Sequence, residues 1–185
     1  FQLNFVECDV SDILQKTCKR FRLSARQKEL EFVIDSPETV YASVDKEGLT
    51  KIISNLLSNA IKYSETYIRV RLYVEEDKLL FSVCNDGPVV PAKMREEIFK
   101  PFIQYKDGFS RKVSGTGIGL ALARSLAELH EGNLIMDDSQ KQNCFILSLP
   151  VKHEHTIAIS KSEIKLKEDP KEEDPGQLQQ KPRYT

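Results

Sequence analysis

The sequence predicts an α+β sandwich, a mixed sheet with helices packed on it, and three observations predict it. Segments of alternating apolar residues and segments of helical spacing both occur, without the regular strand–helix succession of a Rossmann fold. Two neighbouring strand segments are joined by a short polar turn, which marks a hairpin. A hydrophobic content of 40% in 185 residues supplies the core of one compact domain with a tail, and the chain is too short for two ordinary domains.

Taken in order, Val10, Ile13, Leu14, Cys18, Phe21 and Ala25 recur at helical spacing behind the cap candidates Asp9 and Ser11. Strand segments follow at 30–34 and around 40–44. Asp45 is placed as the N-cap of the clearest helix, whose apolar stripe is Leu49, Ile52, Ile53, Leu56, Leu57, Ala60 and Ile61. Residues 67–74 alternate Ile68, Val70, Leu72 and Val74 with polar or amphipathic neighbours, as a half-buried strand does, and pair as a hairpin with 79–84. A short helix near 94–99, a long irregular stretch over 100–115, a helix over about 118–130 and strands at 133–136 and 144–149 complete the predicted domain, 1–150. The irregular stretch is long for a compact domain, and such stretches are functional lids or disordered segments. Residues 151–185 turn to Lys, Glu, Asp, Gln and Pro, the composition of a polar linker.

The formal charge of −1 argues for neither a nucleic-acid partner nor an anionic membrane surface. No apolar run has the length to span a bilayer, and no signal-peptide pattern opens the chain; its first residue, Phe1, suggests a piece of a longer protein. The four cysteines, Cys8, Cys18, Cys84 and Cys144, lack the short paired spacings of a zinc site. Each lies in an apolar-patterned stretch, so the sequence reads them as free, structural thiols in a reducing cytosol.

Chemistry gathers at three places. Residues of a helix step by about 100°, so Lys51, Asn55, Ser58, Asn59 and Lys62 share the side of the strong helix away from its apolar stripe. A polar helix face is ordinarily just solvated. Here two asparagines, poor helix formers, stand one turn apart in mid-helix and bring amide oxygens and a lysine together, a set suited to a hydrated magnesium ion and phosphate. The second place is Gly115-Thr116-Gly117-Ile118-Gly119-Leu120, running straight into a helix, where backbone N–H groups and the helix N-terminus favour phosphate. It has neither the lysine of a P-loop nor a strand directly before it, and alone it reads equally as a flexible turn. The third is Asn85-Asp86-Gly87-Pro88 at a strand end, with Ile98-Phe99-Lys100-Pro101-Phe102 beyond it, by themselves a turn and a hydrophobic anchor.

Taken in order and spacing, these segments resemble the N, G1, F and G2 boxes of histidine kinases, members of the GHKL or Bergerat ATPase superfamily. The N box is Asn55-Leu56-Leu57-Ser58-Asn59-Ala60-Ile61-Lys62-Tyr63-Ser64, and the resemblance covers about residues 3–150. It implies a two-layer α/β sandwich with helices on one face of the mixed sheet, and a site for ATP and Mg2+. It assigns Asn59 to the metal, Asn55 beside it and Lys62 to the phosphates, with these three as the catalytic set. It places Tyr63 against adenine, and Asn85, Asp86 and Gly87 at the base. Phe102 begins the ATP lid, and Gly115, Thr116, Gly117, Ile118, Gly119 and Leu120 wrap the phosphate tail. Lys106, Arg111 and Lys112 are further phosphate candidates from the lid.

The resemblance also implies phosphotransfer. Hydrolytic relatives such as gyrases carry an acidic residue where this chain has Asn55, and an amide cannot act as a general base. A kinase needs none, because its nucleophile is a histidine on a partner helical hairpin and catalysis rests on positioning and charge neutralisation. Implied partners are that dimerisation and phosphoacceptor hairpin and, downstream, a response regulator or receiver domain. The expected setting is the cytoplasmic side of a membrane-anchored sensor, with no direct membrane contact from these residues.

Several positions depart from the family pattern. Its G1 box reads Asp-x-Gly-x-Gly, but this chain has Asn85 and Val89 at the first and last places, and Gln142-Asn143 where Gly-Thr is common. The family's Asp accepts from the adenine amino group. An Asn accepts without charge assistance and can also donate, which predicts weaker discrimination against guanine unless Asp86 restores it. A β-branched Val89 in place of glycine puts the usual loop geometry in question. Of the histidines, His130 ends a helix in a structural manner, and His153-Glu154-His155 only faintly resembles an acceptor motif. The segment 181–185 resembles the approach to a receiver domain. The alternatives are a regulatory pseudokinase whose pocket is degraded and, third, a hydrolytic ATPase.

Overall fold

In the computed structural model, which describes residues 3–103, 115–137 and 142–152, a first strand β1 (Phe5–Asp9) leads into helix α1 (Val10–Gln27). Strands β2 (Glu31–Asp35) and β3 (Tyr41–Asp45) precede helix α2 (Lys46–Tyr63). The hairpin β4 (Tyr67–Glu75) and β5 (Lys78–Asn85) is followed by two single 3-10 turns, Ala92–Met94 and Glu97–Phe99. Helix α3 (Gly119–Leu129) and strands β6 (Asn133–Met136) and β7 (Asn143–Pro150) close the fold. The order β2-β4-β5-β7-β6 makes a five-stranded sheet, while β1 and β3 pair separately. Only β2 and β4 run parallel, so the sheet is mixed, as predicted.

Two elements differ from the sequence reading. Strand β1 was not anticipated, because five residues carry little pattern of their own and its stability comes from distant β3. The short helix near 94–99 is instead two 3-10 turns. Pro101 pushes Lys100 into an extended conformation, with φ of −78° and ψ of 142°, which ends the segment after Phe99.

Local chemistry starts the first two helices. The Asp9 carboxylate accepts from the N–H groups of Ser11 and Asp12, and Asp45 accepts from Gly48 N at 2.6 Å. Each satisfies donors that a helix start leaves orphaned. The stripe of α2 is buried throughout its length, and it packs on the sheet face carrying Ile68, Val70 and Leu72 of β4, Phe81 and Val83 of β5, and Phe145 and Leu147 of β7. Complete burial of each such aliphatic side chain contributes about 1.5–3 kcal/mol before entropy is subtracted. On the opposite sheet face Arg69, Arg71 and Tyr73 meet solvent.

His130 has the structural role expected of it. Fully buried, it contacts Leu126 O through Nδ1 at 2.7 Å and takes the Asp45 N–H on Nε2 at 3.2 Å. The backbone donor at Nε2 puts the ring proton on Nδ1. A Cβ on Gly48 would stand 2.8 Å from His130 Cε1, so the bare glycine on α2 makes room for the ring.

The cysteines need a correction. Cys8 and Cys18 are buried free thiols, and burial pushes the Cys18 thiol up to about 12. Cys84 and Cys144, by contrast, are joined in a disulfide between β5 and β7. Their separation of 60 residues gave no pairing signal, but antiparallel register sets them directly opposite, with Cα atoms 4.1 Å apart.

Candidate functional site

Helix α2 supplies the floor of the site. Asn55, Asn59 and Lys62 are half-buried on its polar face, and none makes a side-chain hydrogen bond or ion pair with another described residue. Lys62 Nζ lies 5.0 Å from the centre of the Tyr63 ring. Three amphipathic side chains held in place yet without polar partners are poised for a ligand.

The glycine-rich segment runs along this face. A Cβ on Gly115 would fall 2.7 Å from Lys62 Nζ, and one on Gly119 would fall 3.0 Å from Asn55 Oδ1. The glycines thus lie directly against the ends of these two side chains. Gly117 has φ of +71°, and its carbonyl accepts from Phe102 N at 3.0 Å. Thr116 and Ile118 are exposed, and Leu120 packs towards the core. Helices α1 and α2 begin with aspartate caps, but α3 begins at Ile118 with no side-chain cap. Its first N–H groups are therefore available to an anion.

At the other end of α2 the contacts are dense. A Cβ on Gly87 would fall 2.0 Å from Tyr63 O, so glycine is there to let β5 pass the end of the helix. Asn85 is buried, and its Oδ1 accepts from Gly87 N at 3.1 Å. Asp86 does not join Asn85. Its carboxylate turns to the 65–67 segment and accepts from Glu65 N, Thr66 N and Tyr67 N, and from the Thr66 hydroxyl. Burial raises this carboxyl's pKa, but the hydrogen bonds from Thr66, Tyr67 and Glu65 outweigh it and bring it to about 2. The ring of Phe102 also stands apart from this set, with 75% of the residue exposed and φ of 67°.

Val89 is absent from the four described non-glycine residues with positive φ, so its backbone is not strained in the left-handed region. The loop is held from β7 instead, by Asn143, a residue that the sequence marked only as a departure. Arg124 was missed altogether. Its guanidinium lies 3.7 Å from the centre of the Phe99 ring, donates to Leu134 O at 3.0 Å and pairs with Glu96 at 2.8 Å. A charged residue between Ala123 and Leu126, which are buried, was the available signal. Lys106, Arg111, Lys112 and the 153–155 motif lie outside the described residues.

An uncapped helix start, a glycine-rich segment and an amide-and-lysine helix face on an α+β sandwich define a nucleotide-binding domain. The sequence profile of the Histidine kinase-, DNA gyrase B-, and HSP90-like ATPase family matches residues 44–153, and the chain belongs to that family. Membership carries ATP binding with it. Among curated relatives, the sensor histidine kinase WalK of Bacillus subtilis (strain 168) is 29% identical over 160 residues, covering 83% of this chain and 26% of that protein. The sensor histidine kinase TmoS of Ectopseudomonas mendocina is 32% identical over 140 residues, covering 74% of this chain and 14% of that one. The chain thus spans about a quarter or less of the length of these two relatives. The catalytic domain of histidine kinase ThkA matches with a TM-score of 0.72 at 25% identity, over 81% of this chain and 97% of that one. ThkA has also been solved in complex with the response regulator protein TrrA. No described helix is long and apolar enough to cross a membrane.

Proposed function

We propose that this chain is the MgATP-binding catalytic domain of a two-component sensor histidine kinase. It transfers the γ-phosphoryl group of ATP to a histidine on a dimerisation hairpin of the same parent protein. The reading is carried by one observation: Gly115 and Gly119 lie against Lys62 and Asn55, so a phosphate-type loop runs along partnerless amide and ammonium groups. In this reading Asn59 is the metal ligand; an unpaired amide oxygen fits a hydrated Mg2+, which takes few protein ligands. When bound, the ion supplies neutralisation of phosphate charge. The chain's own groups do the rest: Lys62 faces the phosphate oxygens, the α3 start and glycine N–H groups orient the tail, and Tyr63 and Asn85 border the base.

With Asn55 an amide, nothing at that position activates water, which favours transfer over hydrolysis. The nucleophile is the hairpin imidazole; its nitrogen bonds to the γ-phosphorus as ADP leaves, and a response regulator or receiver domain then accepts the group. The parent is a membrane-anchored sensor with this domain on the cytoplasmic side.

Calorimetric titration of MgATP into the folded chain, with Asn59→Ala alongside, tests the site. Binding that Asn59→Ala weakens about tenfold or more supports it. No binding at millimolar nucleotide would instead make the domain a regulatory pseudokinase. Steady phosphate release without any hairpin would point to a hydrolase.

A further inference from the structure

Asn85 ends β5 and Asn143 begins β7, and the two stand directly opposite one another in register. Both are buried, at 1% and 4% exposure. The Asn85 Oδ1 takes the Gly87 N–H at 3.1 Å and faces Asn143 Nδ2 at 3.5 Å. A backbone N–H can only donate, so it settles which end of the Asn85 amide is oxygen. Asn143 is settled in the same way. Its Oδ1 accepts from Val90 N at 2.9 Å, and its Nδ2 donates to Pro88 O at 2.9 Å and Gly87 O at 3.2 Å. Rotating Asn143 would set its oxygen against two carbonyls. Rotating Asn85 would set its NH2 against two donors.

The Asn85 oxygen is therefore held inside the protein by the Gly87 N–H, with Asn143 Nδ2, whose two hydrogens serve Pro88 O and Gly87 O, 3.5 Å away. Its Nδ2 makes no hydrogen bond to a described residue, yet it is not a sealed orphan: among the described residues the Ser11 hydroxyl is the buried side-chain group left unpartnered. The Nδ2 therefore keeps a trace of the residue's 1% exposure, and it is the Asn85 polar atom left without a partner for a ligand to meet. Phosphate belongs at the exposed, cationic end of the site, near Lys62 and Gly115. The flat base is left the buried end beside Gly87, where this donor waits.

We propose that Asn85 sets nucleobase choice by donating, so that the site takes a purine triphosphate with a keto oxygen at C6 at least as well as ATP. A carboxylate here would offer acceptors only and would select the C6 amino group of adenine. Asp86 cannot supply the missing acceptor, because the 65–67 turn holds its carboxylate. The Gly87 N–H fixes which atom of Asn85 is offered, and Asn143 braces the 87–90 loop that carries it. The inference rests on the nucleotide-binding reading above.

Inosine triphosphate is the probe, because it differs from ATP in the C6 substituent and the N1 proton that accompanies it. Both nucleotides, with Mg2+, are titrated into the folded chain, into Asn85→Asp and into Asn143→Ala. The wild-type chain binds inosine triphosphate within about threefold of ATP, or tighter. Asn85→Asp moves the ratio towards ATP by about tenfold or more, the scale on which an unpaired buried polar group discriminates. Asn143→Ala, which leaves the Gly87 N–H on the Asn85 oxygen, weakens both nucleotides and keeps the ratio within about threefold of the wild type. A wild-type preference for ATP of tenfold or more, or a ratio unmoved by Asn85→Asp, overturns the proposal. If the folded wild-type chain binds neither nucleotide, the nucleotide-binding reading itself fails.

Discussion

The two ends of the site are built on opposite plans. At the end proposed for phosphate, Asn55, Asn59 and Lys62 make no side-chain hydrogen bond or ion pair with another described residue, and α3 starts uncapped. At the end proposed for the base, Asn85, Asp86 and Asn143 are tied into backbone and neighbouring side chains, and the Tyr67 hydroxyl bonds Gln142. Polar groups kept free of internal partners lose little when an anion arrives, because they exchange only water for ligand. Groups that read a base must hold one orientation beforehand, since a freely turning amide reads donor and acceptor alike. A charged tail tolerates looseness, and a base edge does not.

The largest break in this contrast is expected from Gly87→Ala. Its Cβ would sit 2.0 Å from the Tyr63 carbonyl oxygen, a backbone atom that cannot step aside. Destabilisation of about 3–4 kcal/mol by denaturant titration, with loss of nucleotide binding, is the expected outcome. A variant as stable as the wild type would show that the base end is not rigid.

Reduction of the Cys84–Cys144 disulfide comes next. The bond joins the two residues adjoining Asn85 and Asn143, and it closes a 60-residue separation. Its strands are already paired, so about 2–3 kcal/mol is expected, read as a melting point lower by roughly 5–12 °C in reductant. A Cys84→Ala, Cys144→Ala double variant should melt low and ignore reductant. An unchanged melting point would remove the disulfide from the base end's rigidity.

How much of this the sequence disclosed follows the range of the interactions. The stripe of α2 and its Asp45 cap are local patterns with a period of 3.6 residues, and they were readable directly. The hairpin of β4 and β5 was equally plain, because both strands carry their own alternation. Strand β1, the disulfide and the Arg124 stack each depend on partners distant in sequence, about which the local pattern is silent. Asp86 was expected at the base because it neighbours Asn85. Successive side chains at a strand end point opposite ways, and that geometry sends it to the 65–67 turn. Asn143 was visible as a missing Thr; only the register with Asn85 shows that it is a staple.

Lys62→Ala sharpens the contrast from the phosphate end. Nζ is free of ion pairs among the described residues, so its removal should leave the fold and the base end alone. MgATP affinity should fall about tenfold, near 1.4 kcal/mol, while adenosine, which has no phosphates, should bind as it does to the wild type. Equal losses for both ligands would mean that Lys62 serves the base through Tyr63.

The smallest expected effect is in the acid range. The Asp86 carboxyl is lowered from its usual 3.8 to about 2 in the folded chain. A depressed carboxylate stabilises the fold above its unfolded pKa, and that contribution is lost as pH falls through the folded one. Its share of stability is therefore complete above about pH 4 and gone below about pH 2. Asp86→Asn should lower stability at neutral pH, since one amide cannot accept from three backbone donors with both its ends. The difference between variant and wild type should then shrink as pH falls from 4 to 2. A constant difference across that window would mean that the carboxylate's charge is not what holds the turn. Nucleotide selectivity should be the same in both proteins, because Asp86 faces the turn and Asn85 is the residue proposed to meet the base.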